Sequence, residues 1–184
     1  MQAMLLKIFK YGEKVLREKS RDVKSVGPDD VRLAEAMVET MRHAKGVGLA
    51  AQQVGRLERV CVIDIPEGCE EPEDAAFNAP VKMPLMMWNA RIVDRQGSIC
   101  EKEGCLSFPG IGGKVVRAAM VTCSYLDAEN RPQTITASGY LARAIQHETD
   151  HLDGVLYIDR LSAVERLAQA AKLKRLAKAN GSVR

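Results

Sequence analysis

Residues 141–152 read LARAIQHETDHL and contain two of the chain's three histidines. Read as a helix, the stretch spans about three turns and sets His147 and His151 four residues apart on one face. From there both imidazoles reach a single metal ion. Glu148 falls beside that ion as a candidate general base for water activated there. Ala142, Ile145 and Leu152 give the helix a partly apolar setting. The combination points to hydrolysis and directs attention to a third ligand.

Around this helix, which begins at Gly139, the chain alternates between elements of both kinds. PDDVRLAEAMVETMRHA (28–44) opens with proline and two acids and carries Val31, Ala34, Met37, Val38 and Met41 at helical spacing. RVCVIDI (59–65) has the β-branched content of a strand, and further strands are expected at 85–94, 98–103, 115–126 and 132–137. Residues 66–80, PEGCEEPEDAAFNAP, hold five acids and no base; they read as an exposed loop inserted between strands. Beyond the central helix, Ser162 and Glu165 form a capping-box pattern and Asn180-Gly181 a stop, which defines a basic terminal helix over 162–180. Val164, Leu167, Ala171 and Leu176 are its expected packing face. The N-terminal MQAMLLKIFKYGEK reads as a strand or an extended arm. The predicted class is α+β, with antiparallel or mixed sheets around a central metal-binding helix and a C-terminal helix.

The whole chain is consistent with one domain over 1–184. Its 184 residues are enough to bury about 70% of the unfolded surface. Hydrophobic residues make up 46% and charged residues 28%, the composition of a folded globular chain. A formal net charge of +3 is too small to argue for a nucleic-acid partner. No run of 18 apolar residues occurs, so no transmembrane helix and no membrane association are expected. The five cysteines, 61, 69, 100, 105 and 123, contain no C-x-x-C pair. A disulfide framework is not expected, and a reducing cytoplasmic compartment is.

Several residues compete for the third ligand position. Six residues beyond His151 stands Tyr157, not a histidine. Glu165 is the only glutamate after Glu148 and already has a capping role, although a metalloprotease would use it. Cys105, in EGCLS (103–107), would complete a three-ligand site with an open fourth position. Cys61, Cys100 and Cys123 read as small buried hydrophobes, and Cys69 as a bystander. A closed structural metal in an RNA-binding module is a third possibility. GVGLAAQQVG (46–55) satisfies G-x-G-x-x-A through Gly46, Gly48 and Ala51, but a helix precedes it where a dinucleotide site needs a strand. It reads either as a glycine-rich connection or as backbone exposed to a peptide, with the Gln53 amide close by.

GVGLAAQQ (46–53), EGCLS (103–107) and QHETDH (146–151), in this order and spacing, resemble the peptide deformylases. YGEKVLREKS resembles that family's opening segment, and the likeness runs from about residue 7 to residue 161. The resemblance implies that Cys105, His147 and His151 bind one divalent metal, most often Fe2+ in the family, with Zn2+, Ni2+ and Co2+ compatible with the same ligands. It implies Glu148 as the acid–base residue, and the Gln53 side chain and Leu106 N–H as oxyanion donors. The substrate would be an N-formylmethionyl nascent peptide and the products formate and a free N-terminus. The peptide would lie against Gly46, Val47, Gly48 and Gly104, its methionine in a pocket walled by Val47, Leu106 and Ala144. Glu103 and Arg117 would orient a ligand histidine. The terminal helix would dock on the ribosome, and a monomer is expected. Two features depart from the family pattern: the 66–80 insertion, read as a solvated loop, and Asn89-Ala90 where Asn-Pro is common.

Overall fold

A computed structural model of the chain describes residues 5–181. The helix α1 (Pro28–His43) begins with Pro28 at its first position and with Asp30 accepting from the Gly27 N–H at 2.9 Å. Its Ala34, Met37, Val38 and Met41 are buried, as the spacing requires. After it the chain turns through Lys45, held at a positive φ of 57°, into the short strand β1 (Gly48–Ala50). The glycine-rich stretch is therefore partly strand, which its composition did not announce.

The strands β2 (Val60–Ile63), β3 (Leu85–Gln96), β6 (Met120–Leu126) and β7 (Pro132–Ser138) join β1 in an antiparallel sheet of order β1-β2-β3-β6-β7. Two more, β4 (Ile99–Gly104) and β5 (Gly112–Arg117), form a separate antiparallel pair. Residues 115–126, read as one strand from sequence, are thus the end of β5 in one sheet and the whole of β6 in the other. The break falls at Ala118, whose N–H and C=O both bond the Gln146 side chain, at 3.0 and 2.9 Å, instead of a neighbouring strand.

The central helix α3 (Gly139–Leu152) packs on one face of the large sheet and α1 on the other. Strand β2 shows why its run is apolar throughout: Cys61 and Ile63 face the α3 side, while Val60 and Val62 face the α1 side with Trp88. All four are fully buried. Each such aliphatic side chain contributes about 1.5–3 kcal/mol by leaving water.

The acidic segment 66–80 is largely exposed, as expected, but it is not all loop. It contains the helix α2 (Pro72–Asn78), whose Asn78 is buried against the start of α3. Asn78 donates to the Ser138 carbonyl at 3.1 Å and accepts from the Ser138 N–H at 3.1 Å. Glu70 accepts from Asn78 and from the Leu141 N–H in the first turn of α3, where an anion is favoured. Seven residues are too few to show a helical period, so only docking reveals this element.

The terminal helix α4 (Ala163–Asn180) starts as expected, with the Glu165 N–H donating to Ser162 Oγ at 3.2 Å. Its packing face differs from the expected one. Val164 and Leu167 are 78% exposed and Ala171 is exposed, whereas Leu173 is buried with Leu176 beside it, against Leu16, Phe108 and Ile111. The N-terminal segment is an extended arm rather than a strand, tied down by Phe9 N–H to the Gln53 carbonyl and Tyr11 N–H to the Ser107 carbonyl. Met1 to Met4 lie outside the described residues. No described helix is long and apolar enough to cross a membrane.

Candidate metal centre

Helix α3 presents His147 and His151 one turn apart, with ring centroids 5.0 Å from each other. The chain leaving β4 brings in Cys105, and the Phe108 N–H closes a turn on its carbonyl at 2.8 Å. Cys105 Sγ lies 3.3 Å from His151 Nε2, and the ligand atoms of Cys105, His147 and His151 fall within 4.8 Å of one another. Among the described residues this is the group of three side chains placed to hold a metal ion. Glu165 is not part of it.

One sulfur and two imidazole nitrogens suit a borderline-soft divalent cation of the first transition row. The electrostatics treat the two rings differently: burial opposes a charge on His147, but its bonds to Cys105 and Glu103 outweigh that and hold it well above the usual histidine range. Burial, then the positive charges of His147 and Arg117, push His151 well below the usual histidine range, which leaves a neutral ring able to donate a lone pair. His147 is oriented through its other nitrogen: Nδ1 lies 3.0 Å from Glu103 Oε2. Burial opposes ionisation of Glu103, yet the bonds from His147 and Arg117 outweigh it and hold the carboxyl at about 2. Arg117 forks onto Glu103 at 2.9 and 3.0 Å, the pairing expected from sequence.

Glu148 follows His147 and is buried with Oε2 lacking any hydrogen-bond partner. Burial raises its carboxyl to about 7, with the Glu103 and Asp150 charges adding to the effect and His147 and Arg117 opposing it. Such a group can both take and return a proton near neutrality. Its place explains Gly48, where a Cβ would collide with the Glu148 carboxylate. At Gly46 a Cβ would come within 2.6 Å of the Leu106 side chain. These glycines serve close approach across the site, not a dinucleotide.

A cavity of about 890 Å³ opens above these groups. Gly46, Val47, Gly48, Gln53, Gly104, Leu106 and Ala144 all line it together with Cys105, His147 and Glu148. His151 is buried and does not line it. Strand β1 is an edge strand, and its first residue, Gly48, lines the cavity. Gln53 is anchored by accepting from the Ala50 N–H at 2.8 Å, and its Nε2 points to Cys105 Sγ at 3.4 Å and Ser107 Oγ at 3.3 Å.

The polypeptide deformylase family model matches residues 5–167. The chain belongs to the polypeptide deformylase family. It is 40% identical over 161 residues to the peptide deformylase of Pelotomaculum thermopropionicum, covering 88% of this chain and 94% of that one. It is 42% identical over 174 residues to the peptide deformylase of Endomicrobium trichonymphae, covering 95% and 96%. The crystal structure of peptide deformylase from Thermus thermophilus superposes with a TM-score of 0.82 at 39% identity, covering 96% of this chain and 99% of that one. That from Synechococcus elongatus in complex with actinonin superposes at 0.77 with 37% identity, covering 97% and 89%.

Family membership leaves the protease and RNA-module alternatives without support. Some groups of this deformylase-family site were not singled out from sequence. Lys10, on the N-terminal arm, lines the cavity and donates to the Leu106 carbonyl at 2.7 Å. Ser107 is fully buried against Gln53. Asp150 accepts from Arg117 at 2.5 Å and from Arg160 at 2.7 Å. Only Asp150 had a legible signal, its place three residues after His147 on the same helix face.

Proposed function

We propose that this protein hydrolyses the formyl group from the N-terminal N-formylmethionine of nascent polypeptides, releasing formate and a free amino terminus. The observation that carries the reading is the unpartnered Glu148 carboxylate beside a sulfur and two imidazoles, on the floor of a cavity bordered by an edge strand.

Cys105, His147 and His151 would hold one divalent ion, with Fe2+ the proposed native metal and Zn2+, Ni2+ and Co2+ also matching the donors. When bound, the ion supplies Lewis acidity and brings the pKa of water from about 15.7 towards neutrality. Glu148 accepts the proton as water attacks the formyl carbon and delivers it to the departing amine. The Gln53 side-chain amide and the Leu106 N–H donate to the oxygen that becomes negative. The peptide backbone lies along Gly46, Val47 and Gly48 with Gly104 opposite, as an added strand. Val47, Leu106 and Ala144 enclose the methionine side chain. The same reading makes the protein a cytoplasmic monomer of one domain that meets the ribosome through α4.

Formate release from formyl-Met-Ala-Ser by anaerobically iron-loaded protein tests the proposal, with Glu148→Gln as the comparison. Release by the unaltered chain and near-complete loss in the variant are expected. No formate from the unaltered chain, or undiminished release by Glu148→Gln, refutes it.

A further inference from the structure

We propose that Asp150 and Arg160 are positioning residues for the metal centre, closing a ring of charged contacts that fastens the Cys105 segment to α3. The proposal rests on Cys105, His147 and His151 being the metal ligands.

The ring begins on α3, where His147 Nδ1 meets Glu103 Oε2 at 3.0 Å. Glu103 lies on β4, two residues before Cys105. From β5, Arg117 donates Nε and Nη2 to Glu103 and turns Nη1 to Asp150 Oδ2. Asp150 returns the path to α3, three residues after His147 and therefore on the same face. Three separate elements are thus joined by one guanidinium that is 4% exposed.

With the His147 ring neutral, as a metal ligand must be, one buried cation shared by two carboxylates is an unbalanced arrangement. Glu103 and Asp150 compete for Arg117 and repel each other where the dielectric is low. Arg160, just past the short 3-10 turn Tyr157–Asp159 that follows α3, supplies the missing charge by forking onto Asp150 with Nε at 3.1 Å and Nη2 at 2.7 Å. With Asp150 neutralised from outside, Arg117 stays on Glu103. Glu103 in turn holds the His147 ring and the strand that delivers the sulfur. Remove Arg160, and Asp150 draws Arg117 away from Glu103, which loosens both. Arg160 is 47% exposed and borders a cavity of about 430 Å³ that Asp150 and Arg117 also line. Replacing it therefore opens no void in the core.

The test measures metal rather than turnover. Zn2+ affinity by chelator competition and the visible bands of the Co2+ form are compared for the unaltered chain, Arg160→Gln, Arg160→Lys and Asp150→Asn. Both neutral substitutions are expected to weaken binding about tenfold and to shift the cobalt bands, with Arg160→Lys in between. Affinities within about twofold and unshifted bands overturn the proposal, even where the unfolding midpoint falls. Failure of the unaltered chain to bind metal would overturn it together with the metal-centre reading. Normal binding that is equal in all variants overturns the ring alone.

Discussion

The carboxylate of Glu148 occupies the space that a side chain at Gly48 would fill. One residue is on the sheet edge and the other on the helix packed against it, so the strand needs glycine because the helix brings an acid there. Gly48→Ala must push the carboxylate aside while leaving the three ligand side chains untouched. A loss of about a hundredfold in kcat is expected, the scale on which small misplacements of reacting groups act. Metal stoichiometry should stay at the level of the unaltered chain. A normal rate in the alanine variant would show that Glu148 does not work from this position.

Gln53 is held by the Ala50 N–H with its amide nitrogen turned towards Cys105 and Ser107. Gln53→Ala removes the proposed oxyanion donor and is expected to lower kcat by about 10²–10³-fold. KM for formyl-Met-Ala-Ser should change far less. Steady-state kinetics separate the two, and a pure KM effect would assign Gln53 to ground-state binding instead.

Asn78 pairs both backbone groups of buried Ser138, so the acidic segment is expected to be part of the folded unit. Asn78→Ala leaves the buried Ser138 N–H unpaired, at a cost of about 1–3 kcal/mol. Urea unfolding of the metal-free protein reads this directly. An unchanged midpoint would mean that the segment contributes nothing to the start of α3.

Asp159 provides a pH-dependent contribution. Its burial opposes ionisation, but the bonds from Arg17 and the Leu156 N–H prevail and hold the carboxyl below its usual value. A depressed folded pKa stabilises above the unfolded value of about 3.9 and is lost as pH falls through the folded one. The stability gap between the unaltered chain and Asp159→Asn should therefore be larger at neutral pH than in strong acid. Denaturant titrations at both ends of that window measure it, and a gap that widens on acidification contradicts the assignment.

The exposed face of α4 carries Lys172, Lys174, Arg175 and Lys178. Reversing all four to glutamate keeps Leu173 and Leu176 in place while inverting the charge. Loss of salt-sensitive co-sedimentation with ribosomes is expected, with tripeptide hydrolysis retained. Ribosome association that survives the reversal would exclude docking through this face.

Much of the molecule could be read locally. The i, i+4 spacing in LARAIQHETDHL placed both histidines on one face because helical geometry is set within a few residues. The apolar spacing of α1 and the Ser162–Glu165 cap were legible for the same reason. Less was legible where an element is short or where its partner is remote. The helix α2 has too few residues to display a period, and the face of α4 that packs depends on Leu16, Phe108 and Ile111, far away in the chain. The break at Ala118 depends on the Gln146 side chain, which takes the backbone bonds that a continuous strand would have used.

The sequence by itself determined the residue types available to the site and the helix that carries two of its candidate ligands, since these follow from chain-local spacing. The motif around Cys105 already pointed to that cysteine among the five, but only the tertiary structure decided that Glu148 needs Gly48 and that Asp150 and Arg160 stand behind Glu103. Those choices arise from strand pairing and burial between distant segments, where a contact's energy depends on partners that no local pattern names.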